Sequence, residues 1–168
     1  MKVINIHKRK IRASQDNVSA LFRTLATSND LIWPIDKWPA IRFKNGLKIG
    51  SKGGHGRIRY TIVEFDECTH IKFEFTKPDG FYGTHALNIK AISENECEIS
   101  HVINARTSLK ASFYWLFIIK WLHNALIEDA FDKVENYVSE VQKVSQHSLW
   151  VQMLREFYKS KSFQTKHA

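Results

Sequence analysis

The sequence predicts an α+β fold in which a curved antiparallel sheet is closed by one long C-terminal helix. Two patterns predict it. From Ile41 to about Arg106, apolar residues recur with a period of two between turn residues, as in successive short strands. From Ser112 to about Val144 the period changes to steps of three and four, as in a single helix with an inward stripe. A bent sheet under one helix is a container, so the leading expectation for function is the holding of an apolar molecule.

With 168 residues, 43% of them hydrophobic, the chain is long enough for one well-buried core. No run approaches the roughly 18–20 uncharged apolar residues that span a bilayer. The strongest, Phe113 to Leu122, contains Lys120. The start, Met1 to Lys8, has no apolar core ahead of its basic cluster, so no secretory signal is expected. Cys68 and Cys97 lack metal-ligand spacing and are expected to be reduced thiols of a cytoplasmic protein. The net charge of +8 gathers at the two ends, in Lys8, Arg9, Lys10 and Arg12, and in Lys159, Lys161 and Lys166. No stretch interleaves basic residues with stacking aromatics, so nucleic acid is not an expected partner.

Each element has its own signal. Val3 to Arg12 reads as a first strand, supported by Val3, Ile4, Ile6 and Ile11. Ser14 to Asn17 offers N-caps for a short helix striped by Val18, Leu21, Phe22 and Leu25. Pro34 and Pro39 keep Leu31 to Ala40 from forming a long helix, leaving a turn or short helix that sets Trp33 and Trp38 at a cavity rim. Ile41–Lys44 and Leu47–Lys52 predict a hairpin about Asn45-Gly46. Gly53 to Gly56 leads into a strand from Arg57 to Phe65, with a bulge at the glycines choosing between its two faces. In Ile71 to Thr76, Ile71, Phe73 and Phe75 share one face.

Parity fixes the last hairpin, Gly83–Ile92 with Glu96–Arg106. Its two apolar faces must point the same way, which a three-residue connection at Ser93-Glu94-Asn95 achieves. Leu87 then stands opposite His101 and His85 opposite Ile103, with the two histidines as diagonal neighbours, about 7–8 Å apart at the backbone. On the long helix the inward stripe is Leu116, Ile119, His123, Leu126, Ile127, Ala130, Val134, Val138 and Val141. Asn124, Glu128, Asp132 and Glu135 are expected on the wet side. Residues 1–144 form the expected domain and 145–168 an amphipathic basic extension, striped by Trp150, Met153, Leu154 and Phe157.

Strand, short helix, about six antiparallel strands and a long terminal helix resemble the helix-grip fold of the SRPBCC superfamily, which includes START domains, birch-pollen-allergen-like proteins and polyketide cyclases. The stretches Gly53-Gly54-His55-Gly56-Arg57-Ile58-Arg59-Tyr60, Gly80-Phe81-Tyr82-Gly83-Thr84-His85 and Trp121-Leu122-His123-Asn124-Ala125-Leu126-Ile127-Glu128-Asp129 are similar to a bacterial subgroup of it without an assigned activity. The resemblance implies an apolar, metal-free cavity for a lipid, quinone or polyketide-like ligand. It carries over no catalytic residue.

The residues themselves nominate a site. His85, His101 and His123 converge from sheet and helix, and are expected either to orient a ligand's polar end or, as in a cyclase or dehydratase, to serve as acid and base. Trp33, Trp38, Phe43, Phe73, Phe75, Leu87, Trp115 and Ile119 are expected to line the cavity, with Arg59, Glu64 and Tyr60 facing a polar group if their strand presents them inward. No metal and no cofactor is expected. The Gly50–Gly56 stretch lacks a phosphate loop's ending and its following helix. The extension is expected to dock on its own domain or a second copy; a membrane surface is the lesser expectation, and a protein- or membrane-interaction module the third function class.

Overall fold

Ten residues of alternating character begin the chain, and they build the edge of the sheet. In the computed structural model, which describes residues 1–139 and 142–164 (backbone alone from 159), β1 spans Lys2–Ile11. Helix α1, Gln15–Phe22, follows, its first turn capped by the Ser14 hydroxyl, which accepts the Asn17 N–H. Then come β2 (Arg42–Phe43), β3 (Lys52–His55), β4 (Ile58–Asp66), β5 (His70–Lys77), β6 (Phe81–Ser93) and β7 (Glu96–Thr107). The chain closes with α2 (Leu109–Tyr114), a π-turn (Trp115–Ile119), α3 (Lys120–Val138) and α4 (Leu149–Gln164). The strands form one curved antiparallel sheet in the order β1-β7-β6-β5-β4-β3-β2, and the α2–α3 helix lies in its concave face.

The β6–β7 register is the expected one, with Leu87 opposite His101 and His85 opposite Ile103. The connection itself is tighter. An irregularity between Ala91 and Ser93 pairs Ser93 with Glu96 and leaves two residues in the turn.

Elsewhere local chemistry overrode the simple patterns. The inward face of β1 is Val3, Asn5, His7, Arg9 and Ile11, whereas Ile4, 55% exposed, and Ile6 point away. Polar inward residues are tolerated because α3 answers them. Asn5 bonds to Asn124, His7 to Glu128 and Asn124, and Arg9 to Asp132, Glu128 and Glu135. Asp132, expected in water, is buried for that reason.

The Asn45-Gly46 hairpin does not form as a two-residue turn. That turn needs positive φ at both positions, and Gly46 supplies it (+70°) while Asn45 does not. Instead β2 pairs with the glycines of β3, Arg42 with Gly54 and Phe43 with Gly53, and residues 44–51 form a loop. A Cβ on Gly54 would run into the Ile58 carbonyl oxygen, so this close approach needs glycine.

Strand β4 uses both of its apolar faces, because its bulges fall inside the strand and not at the glycines before it. Tyr60 and Ile62 face inward, the register shifts between Ile62 and Glu64, and Phe65 then returns to the core side. Arg59 is left outside.

The π-turn corrects the helix stripe. One wide turn, in which the Lys120 N–H reaches the Trp115 carbonyl, advances the phase by one residue. Ala111 and Trp115 are therefore buried, while Leu116, expected inward, is 45% exposed. Beyond it Leu126, Ile127, Ala130 and Val134 face the core as expected. Val141 and Lys166, and the side chains of Lys159 and Lys161, lie outside the described residues.

Residues past 144 fold back on α3. Val151 and Leu154 are buried in that contact, whereas Trp150, Met153 and Phe157 of the expected stripe are exposed. The segment is fixed by Ser145 N–H to Asp132, the His147–Asp129 pair and the Arg155 guanidinium on the Lys37 carbonyl.

Candidate functional site

The buried apolar residues divide into two clusters. The larger runs from Ile11 and Phe22 through Tyr60, Ile62 and Phe73 to Phe131. The smaller joins Val3, Phe81, Ile103, Ala105, Ala111 and Trp115, with Phe75 and Ile119 packed against it. The layer between them is made of imidazoles.

His85, on β6, lies face to face with Phe73 of one cluster and Phe75 of the other, ring centres 4.7 Å away on each side. His101, on β7, is tilted 42° to it with ring centres 5.4 Å apart, His85 Nδ1 and His101 Nε2 being 3.2 Å from one another. His123, on α3, closes over them with its ring 4.9 Å from His101. The row continues past both ends. Tyr60 stands 4.7 Å from His85, His55 packs between Tyr60 and Trp33, and His7 lies 5.9 Å from His123.

Burial sets the protonation of this layer. It pulls His85 and His101 well below the ordinary histidine range, the neighbouring imidazoles adding to the effect. It brings His123 down to about 3 and, with the Arg59 charge second, His55 to about 4. The Tyr60 phenol is pushed up, again by burial. All are neutral at neutral pH.

Neutral imidazoles still have hydrogen bonds to make. His85 Nε2, His101 Nδ1, both nitrogens of His123 and the Tyr60 hydroxyl are buried and meet no partner. Each such atom costs roughly 1–3 kcal/mol when it meets nothing. A neutral imidazole has one N–H and one lone pair, and the His85–His101 bond consumes one of each. Of the two nitrogens left over, one therefore donates and the other accepts, whichever tautomers are present. Among the described residues, no group of three or more His, Cys, Asp or Glu side chains is arranged to hold a metal ion.

The expected lining divides accordingly. His85, His101, His123, Phe73, Phe75, Trp115 and Ile119 come together at the layer, and Leu87 is buried at the register position opposite His101. Phe43 stacks on Phe73 one ring further out, at 5.7 Å. Trp33 closes the His55 end, its indole N–H held by the Pro39 carbonyl. Trp38 does not reach the layer, because Asp129 on α3 accepts its indole N–H. Arg59 is exposed and spends its guanidinium on the Gly56 and Ile58 carbonyls. The layer is ring-filled, and among the described residues two concavities lie on the surface. One, of about 450 Å³, is lined by Arg42, Lys44, Lys52 and Arg59 beside His55. The other, of about 460 Å³, lies between α1 and the end of α3.

Two members of the row, His55 and His7, were not among the expected site residues, and a third, Tyr60, was expected only conditionally. His55 reads as a turn residue until Gly53-Gly54 is recognised as strand. Tyr60 depended on the unresolved face of β4. His7 was legible from spacing, since it shares the parity of Val3 and Ile11.

No protein-family model and no curated protein matches the chain. Solved structures do match. A truncated norcoclaurine synthase from Thalictrum flavum superposes with a TM-score of 0.64 at 13% identity, over 84% of this chain and 96% of that one. A protein from Nitrosospira multiformis gives 0.61 at 12% identity, over 82% and 97%. A conserved protein of unknown function from Enterococcus faecalis gives 0.58 at 8% identity, over 97% and 86%. What these share with the chain is architecture alone, and by it the chain has a helix-grip fold, a curved antiparallel sheet closed by one long C-terminal helix.

Proposed function

We propose that the protein binds a neutral, amphipathic small molecule (lipid, quinone or polyketide-like) between sheet and helix, its polar group seated on the imidazole layer. The observation that carries this reading is the set of buried, unpartnered polar atoms on His85, His101, His123 and Tyr60. A hydroxyl, which both donates and accepts, answers the mixed pair left by His85 and His101. A carboxylate does not, because no cation stands in the layer and burial there penalises charge. The two apolar clusters supply affinity by desolvation on either side, and Phe75 and Ile119, each only half-buried, border the seam that must part. A structure of the similarly folded synthase contains dopamine and hydroxybenzaldehyde, so the architecture admits small aromatic amphipaths.

An acid/base role for the same histidines has less support. An imidazole brought to about 3, as His123 is, lacks the acidic imidazolium proton at neutral pH and is a weak base. Native mass spectrometry of protein purified from cells tests the binding reading, which expects a retained small molecule. Uniform release of an apo mass, with no stabilisation by any neutral amphipath, counts against it. The His85→Gln/His101→Gln pair keeps polar groups but alters their geometry, and should weaken binding roughly tenfold, the worth of one or two buried hydrogen bonds. Abolished turnover with unchanged binding would instead establish the enzymatic role.

A further inference from the structure

The start of the long helix turns an aromatic face to water. The π-turn that buries Trp115 puts Leu116 and Phe117 outside, beside Phe113, which is 62% exposed, and Trp121. Phe113 and Phe117 touch at 4.6 Å between ring centres, and the Trp121 indole N–H is satisfied by the Leu116 carbonyl. Helix α4 extends the same surface. Trp150 donates its indole N–H to the Phe117 carbonyl, which brings the exposed Trp150 and Met153 next to that face. The two indoles thus present apolar edges with their polar atoms already paired.

Charge distinguishes among occupants. No Asp or Glu occurs from Ile99 to Ile127, whereas Arg106, Lys110 and Lys120 do. Lys110 and Lys120, both exposed, stand before and after the exposed Phe113–Phe117 pair along the helix. Neither lysine has a carboxylate partner among the described residues. A second copy would bring the same lysines, and another +8, against this surface.

We infer that this face docks on an anionic lipid bilayer, the aromatics entering the interface and Lys110 and Lys120 meeting acidic headgroups. Aromatic and leucine side chains ringed by lysines suit the headgroup–acyl boundary. The docking stands on exposure and charge alone and does not require the ligand reading.

Vesicle co-sedimentation tests it with the full chain. The protein should sediment with phosphatidylcholine vesicles containing phosphatidylserine, sediment far less with phosphatidylcholine alone, and come off as salt is raised. Lys110→Glu/Lys120→Glu should weaken sedimentation roughly tenfold or more, and Phe113→Ser/Phe117→Ser should abolish it, with melting temperatures close to the parent. Should the serine variant fail to fold, lipids brominated on their acyl chains should still quench the parent's tryptophan fluorescence, and quench it less in Trp121→Phe. Failure to sediment with acidic vesicles overturns the inference, as does sedimentation that both variants retain. A dimer broken by Phe117→Ser, without vesicle binding, assigns the face to a second copy and overturns it too.

Discussion

His123 shows most plainly what the layer gives up. Both of its ring nitrogens are buried without a hydrogen bond of ordinary geometry, the Asn124 side chain acting on the ring only weakly, so its imidazole stabilises little that an apolar side chain of similar bulk would not. His123→Leu should therefore leave thermal stability unchanged or raise it by a few degrees, while lowering ligand affinity. A loss of several degrees in a melting experiment would mean that the nitrogens are bonded in the folded protein. Acid should act on the same group. His123, His55, His85 and His101 all bind protons less readily folded than unfolded. Their neutral forms thus contribute full stability above the unfolded value near 6.5. As pH falls through the window from 6.5 towards 3, the unfolded chain gains protons that the fold refuses, and stability declines. The slope is at most about 1.4 kcal/mol per pH unit for each imidazole. Glu128, held low first by its bond to His7, and Asp132, held low against burial by Arg9 and Ser145, add their own loss below the ordinary carboxylate range. Denaturant titrations between pH 8 and 4.5 should show the decline, and His123→Leu should flatten it.

At the scale of elements, what was legible in the chain was whatever depends on periodicity alone. The β6–β7 register, with His85 diagonal to His101, came from parity, because two buried faces admit only one alignment. The π-turn and the β4 bulges were not legible. Each inserts a single residue where packing demands it, and no residue type marks the place. Trp115 for Leu116 and Phe65 after Ile62 are the results. The inward arginine of β1 was hidden for another reason, since its stabilising partners lie more than a hundred residues away on α3. Asp129 is the element-scale counterpart of that network. Its fully buried carboxylate receives Lys37 Nζ at 3.0 Å, the Trp38 indole at 2.7 Å and His147 at 2.9 Å, tying the 31–40 segment and the α4 linker to α3. Asp129→Ala leaves those three groups without their acceptor and should cost about 3–5 kcal/mol, the range for breaking a buried ion pair. Amide exchange should quicken first at 37–38 and in α4; an unchanged exchange pattern would show that Val151 and Leu154 alone hold that helix.

For the whole molecule, two apolar clusters joined through a layer of unsatisfied imidazoles amount to a core with a built-in seam. Ordinary cores avoid such a seam, because each buried polar atom left alone subtracts from a small net stability. The unpartnered nitrogens of His85, His101 and His123 are the part of the layer that the proposed ligand would meet. A bound amphipath would do so at the seam and nowhere else, which gives its binding a spatial signature. At a hundredfold excess over its dissociation constant a ligand stabilises the fold by about 2.7 kcal/mol. That gain should appear as slowed amide exchange concentrated in β6, β7 and the first turns of α3, where His85, His101 and His123 sit. Helix α1, none of whose residues belongs to the layer, should change little. Hydrogen exchange with and without a stabilising amphipath resolves these regions separately. Protection spread evenly over all seven strands would mean that the ligand binds outside the seam, most simply in one of the two surface concavities.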